Sequence, residues 1–188
     1  MVNLLGFVNG EILVILYHGT TGKRAKKIFE DGKLKCFVER HYTLSKSGDG
    51  YTEQGYVYLT NEMMFAIYFA NCCDLEDNSG ELYVFKIDME DSLLEPDYDE
   101  IRIQHEDDFI RKEYPDDLEY SLKEFKSCRV KCDIDISNNK VLYLQINKND
   151  IEIGKLIEGA GYNLKDTQNQ YNSKQKIFIK NANWKKIL

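Results

Sequence analysis

Apolar positions along this chain come in short runs, and most of them have the length and composition of strands. Leu13 to Tyr17 is an unbroken apolar and aromatic run ended by His18 and Gly19, the pattern of a buried strand. Over Lys23–Asp31 the period changes. Ala25, Ile28 and Phe29 share one helical face, Thr20 or Thr21 stands where an N-cap belongs, and Gly32 stands where a C-cap belongs. The same order returns later: a strand over Tyr56–Thr60, then a helix carrying Met64, Tyr68 and Cys72.

The rest of the pattern is less regular. Residues 1–12 read as a lead-in or edge strand, with Asn9-Gly10 as a hairpin turn into Glu11–Tyr17. Lys33–Phe37 reads as a short extended piece, and 38–54 as the longest loop of the N-terminal half, placed where either a lid or a plain surface excursion would lie. A turn at Asp77–Gly80 leads into a central strand over Glu81–Asp88, and 90–99 reads as a loop because Pro96 interrupts it. Two helical stretches are expected over 105–126, split at Tyr114-Pro115, with Asp116 capping the second. Arg129–Ile136 and Val141–Ile146 flank Ser137–Lys140 as a hairpin, with Cys128 and Cys132 on the first strand. A helix near 150–159, a loop and a Lys174–Lys180 strand close the chain.

Strands and helices thus mix without the alternation of a doubly wound sheet. The expected class is α+β with mostly antiparallel strands. At 188 residues the chain fits a single domain, with 150–188 as a C-terminal extension.

Composition narrows the chemistry. No apolar run approaches the roughly 20 residues of a membrane span, so no membrane partner is expected and the cytoplasm is the expected compartment. The five cysteines lack metal-binding spacing and read as reduced thiols, so no metal site is expected. Charge is unevenly spread: residues 88–120 hold fourteen acids against three bases, while residues 151–188 hold seven lysines against three acids. No Gly-x-Ser-x-Gly, Walker loop or His-Glu-x-x-His occurs, and His41 and His105 stand in polar, loop-like contexts.

His18-Gly19-Thr20 combines an imidazole, a bare backbone and a helix start, although the same residues fit a hydrogen-bonded core histidine followed by a turn. Together with Val57-Tyr58-Leu59-Thr60, the helix after it, the Leu82–Ile87 strand and the acidic Leu94-Glu95-Pro96-Asp97, this order resembles the ADP-ribosyltransferase superfamily. The rifampin ADP-ribosyltransferases are the nearest likeness, over roughly residues 14–135. The resemblance implies a split antiparallel sheet core with flanking helices and NAD as substrate.

On that likeness His18 would hydrogen-bond the adenosine ribose and the Gly19 backbone would clamp the nicotinamide amide, with Thr20 beside them. Tyr58 would pack on the nicotinamide, Tyr68 would form a second wall, and Asp97 would stabilise the ribosyl cation, so that the His18 imidazole and the Tyr58 phenol are expected to meet across one cleft with an acid facing them. Pro96 stands where that family has an acid, which brings in Glu95 as an alternative; a polymerase-like arrangement would use Glu124 instead. The expected reaction is transfer of ADP-ribose to a protein, nucleic acid or small molecule. A glycohydrolase, an RNA 2′-phosphotransferase and a non-catalytic binding module are the alternatives.

Overall fold

The computed structural model describes residues 4–8, 11–37, 53–104, 115, 117–138, 140–150, 152–157 and 173–187. The Asn9-Gly10 turn, His41, His105, Asp116 and nearly all of the 38–54 and 105–114 segments lie outside these residues.

Ten strands are described. They are β1 (Leu4–Val8), β2 (Glu11–Thr21), β3 (Lys33–Leu34), β4 (Val57–Thr60), β5 (Glu81–Glu90), β6 (Glu95–Pro96), β7 (Ser127–Val130), β8 (Ile134–Asp135), β9 (Val141–Asn147) and β10 (Lys185–Lys186). Eight form one sheet in the order β10-β9-β5-β2-β4-β7-β6, with β1 on β2; β3 and β8 form a separate pair. Every pairing among the described residues is antiparallel. The helices are α1 (Gly22–Asp31), α2 (Met63–Asp77), α3 (Tyr98–Gln104) and α4 (Ser173–Lys180), with a π turn over Ser121–Phe125 and a short helical segment over 152–157. The fold is therefore α+β, a largely continuous antiparallel sheet with flanking helices.

Strand alternation sorts the side chains onto two faces. Val14, Leu16, Val57, Leu59, Phe85 and Ile87 build one core, against which α1 lays Ile28 and Phe29. Leu82, Val84, Leu144 and Ile146 build the other, beneath Met63, Met64, Ala66, Ile67 and Ala70 of α2. Gly19 lets α2 come that close: a Cβ added there would lie 1.7 Å from the Ala66 carbonyl oxygen. The two helices are joined at their ends, where Asp77 accepts from Thr21 Oγ1 at 2.7 Å and from Arg24 Nε at 2.6 Å.

Several expectations change. β2 does not end at His18 but runs on to Thr21, because Thr20 and Thr21 keep pairing with Tyr83 and Leu82 of β5. Thr21 is the N-cap of α1 and Gly32, at φ 68°, its C-cap. Among the described residues Arg129–Ile136 and Val141–Ile146 do not pair with each other: the chain bends at Lys131–Asp133, β8 goes to β3 and β9 goes to β5. Cys132 consequently lies in that bend, exposed, while Cys128 is buried in β7. Lys174–Lys180 is a helix rather than a strand, with Gln175, Phe178 and Ile179 at helical spacing turned inward and Gln175 Nε2 donating to the Leu156 carbonyl at 3.3 Å. Residues 90–99 are not all loop, since Glu95–Pro96 pairs with β7 as an edge strand, a position that tolerates proline.

Among the described residues no helix is long and apolar enough to cross a membrane, and no group of three His, Cys, Asp or Glu could hold a metal ion.

Candidate functional site

β2 pairs with β5 along nine positions but with β4 at only one, Tyr17 with Thr60. Beyond that bridge the two strands part. His18 stands at the parting, and its Nδ1 lies 3.0 Å from the Tyr58 carbonyl. A carbonyl can only accept, so Nδ1 carries a proton and donates it to Tyr58.

Alternation sends His18 to the α1 face, with Leu16 and Thr20. Gly19 and Tyr58 belong to the face on which α2 lies. The His18 and Tyr58 rings therefore do not face one another, contrary to the simplest expectation of a shared cleft. What His18 meets is the Tyr58 backbone. Thr20 is buried in β2. Tyr68, half-buried on α2, packs edge-on against the exposed Phe69 at 5.6 Å; burial and a hydrogen bond are both involved in raising its phenol above the ordinary range, with the Cys72 contact first.

The Tyr58 phenol leads into a polar cluster that sequence reasoning missed. It donates to the Asp99 carboxylate and, at 3.2 Å, to the Glu53 carbonyl. Tyr58 is paired with Arg129 across β4 and β7, so both side chains leave the sheet together. The Arg129 side chain is only 5 % exposed; its Nη1 lies 2.9 Å from Glu53 Oε2 and 3.8 Å from Asp99 Oδ2, and its guanidinium lies over the Tyr56 ring at 3.8 Å. Glu95, on the neighbouring strand, stands 3.6 Å from Arg129 Nε. The signal in the sequence was a lone arginine inside an apolar strand, between Cys128 and Val130.

Asp97 is adjacent to this cluster but does a different job. Its Oδ1 accepts from the Glu100 amide at 3.1 Å, making it the N-cap of α3, and its own amide donates to Ser121 Oγ at 2.9 Å. The Asp-x-x-Glu spacing of Asp97 and Glu100 is a capping-box pattern, overlooked amid so many acids. Glu124 sits in the π turn beside Lys123, at 3.5 Å.

Burial pushes the Asp97 carboxyl from 3.8 up to about 6 against the opposing Glu100 amide. Below pH about 4 the group is neutral in both the folded and the unfolded chain; above about 6 it is ionised in both, and the folded chain bears the desolvation cost. Folding stability from this group is thus lost as pH rises from about 4 to about 6, by about 3 kcal/mol. Asp97→Asn keeps a capping oxygen without the charge. Urea unfolding should show the variant more stable than wild type by about 2–3 kcal/mol at neutral pH, and little changed near pH 4. Equal differences at both pH values would contradict this assignment.

No family model matches the chain, and no match emerges among the curated proteins or among the solved structures.

Proposed function

We propose that the protein is an NAD-dependent ADP-ribosyltransferase that holds the dinucleotide where β2 and β4 part. The observation that supports this reading most is the single Tyr17–Thr60 bridge with the His18 imidazole just beyond it, reaching the Tyr58 backbone across the opening. An opening of that kind gives an extended ligand access to strand backbone that a fully paired sheet would consume.

The His18 and Tyr58 rings leave opposite faces and lend this reading no shared cleft, so it rests on the opening itself. In this reading the His18 imidazole hydrogen-bonds the adenosine ribose, while the nicotinamide amide meets the Gly19 backbone from within the opening, because α2 fills the face of that glycine, with Tyr58 and Tyr68 beyond. One molecule then addresses both residues at different points along its length. Asp99, bonded to the Tyr58 phenol, joins Asp97 as a candidate for the acid that faces the developing ribosyl cation.

In the transfer step the bond from the ribose C1′ to the nicotinamide nitrogen breaks, and nicotinamide leaves with the electron pair. An acceptor oxygen or nitrogen forms the new bond to C1′ and loses its proton to solvent. Water in place of the acceptor gives hydrolysis. Positioning and electrostatic stabilisation of the cation supply the rate.

The test is nicotinamide release from NAD by the purified chain. His18→Ala should lower turnover by at least about a hundredfold while leaving the fold intact by circular dichroism. Asp97→Asn and Asp99→Asn separate the two acids: loss in only one names the carboxylate. Binding of NAD without any release would make the protein a non-catalytic module, and neither binding nor release would reject the reading.

A further inference from the structure

A hollow of about 300 Å³ lies beside the Tyr17–Thr60 bridge, lined by Tyr17, Asn61, Glu62, Met63 and, from α4, Lys176, Ile179 and Lys180. None of these residues has a part in the NAD reading. The position is nevertheless close to it, since Tyr17 immediately precedes His18 and Asn61 follows Thr60.

The walls are chemically divided. Lys176 and Lys180 supply cations from α4, and Lys86 extends the positive side, its ammonium 5.9 Å from the Trp184 ring. Trp184 stacks on Tyr17 with ring centroids 6.0 Å apart and 27° between planes. On the other side stand acceptors. Glu62 offers a carboxylate; Asn61 donates through Nδ2 to the Leu122 carbonyl at 3.0 Å, while its Oδ1, buried, has no partner.

Cations for a phosphate, the Tyr17 ring and the Glu62 carboxylate for the amino edge of a base together describe one nucleotide. The volume agrees, because small-ligand pockets begin at about 300 Å³ and this one has room for a single nucleotide rather than a whole dinucleotide. Exposed Lys186 on β10 adds a further cation on the same face of the sheet, whereas Lys185 lies over Tyr143 on the other face.

We propose that this hollow binds one nucleotide of a single-stranded nucleic acid. Its standing as the acceptor site rests on the transferase reading above; the binding itself does not.

The chain's single tryptophan, Trp184, is a built-in reporter. The experiment titrates the full chain with a single-stranded oligodeoxyadenylate of about eight nucleotides and follows its fluorescence, comparing wild type with Lys176→Glu/Lys180→Glu. Expected are a saturable change in wild type, an affinity at least about tenfold weaker in the double variant, and a steep loss with added salt. NAD affinity, measured by calorimetry, and nicotinamide release into water should be unaltered by the double variant. No spectral change with the oligonucleotide, or equal binding by both proteins, overturns the proposal. A double variant that loses NAD affinity also overturns it, because the hollow would then belong to the dinucleotide. Wild type that binds the oligonucleotide as expected but never releases nicotinamide upholds the binding site and rejects the transferase reading alone.

Discussion

Gly19→Ala is expected to destabilise the protein by about 3 kcal/mol or more, enough to unfold a domain of ordinary stability at modest temperature. The new methyl would sit 1.7 Å from the Ala66 oxygen, 2.5 Å from its carbonyl carbon and 3.0 Å from its Cα. All three are backbone atoms of α2, so no rotamer change relieves the clash. The helix would have to retreat by more than an ångström, pulling Met63, Met64, Ile67 and Ala70 from the sheet. Chemical denaturation measures the effect. A change within about 0.5 kcal/mol of wild type would mean that α2 does not pack where it is described. The glycine is thus required by helix packing whether or not a ligand also uses its backbone.

Arg129→Met should cost about 1–3 kcal/mol, through the partly compensated charge it leaves behind rather than through lost attraction. The Asp99 side chain is 8 % exposed and its guanidinium partner 5 % exposed, whereas Glu53 and Glu95 reach solvent and are screened there. Removing the cation leaves Asp99 near two like charges, with the half-exposed Arg102 at 3.6 Å as its remaining cation and the Tyr58 phenol and Glu53 amide as its donors. The double variant Arg129→Met/Asp99→Asn should therefore recover much of the loss, and a thermodynamic cycle over the four proteins isolates the coupling. Additive losses would show that Asp99 does not depend on Arg129. The same pair ties the Tyr58 phenol in place, so the single variant should also disturb any ligand that packs on Tyr58.

The parts of this architecture that could be read from the chain are those decided locally. The apolar run at Leu13–Tyr17, the Thr21 and Gly32 caps and the short Val57–Thr60 strand depend on neighbours in sequence, and they stand where periodicity and cap chemistry put them. The C-terminal helix was obscured because its inward stripe includes a glutamine. Ile177, between the two inward apolar residues and Gln175, is 59 % exposed. Turn chemistry misled at Ser137–Lys140 for a related reason. Asp135 does accept from the Ser137 amide at 2.7 Å, but a turn does not say which strands it joins, and both flanking strands found partners elsewhere.

Less of the candidate site was legible. His18 and Tyr58 are adjacent through the ring of one and the backbone of the other, a relation set by where β2 and β4 part, for which no sequence spacing gives a sign. Arg129 and Asp99 reach Tyr58 only through pairing of β4 with β7 and the placement of α3, separations of 71 and 41 residues along the chain. Asp97 stood out as an acid beside a proline. Its capping role needed the helix that follows it to be recognised first.

The most direct test of the account is a crystal structure with a non-hydrolysable NAD analogue. It should place the ligand in the opening between β2 and β4, with the adenosine ribose at His18 and the nicotinamide against Gly19 and Tyr58. Density for the analogue anywhere else, or none at millimolar concentration, would contradict it.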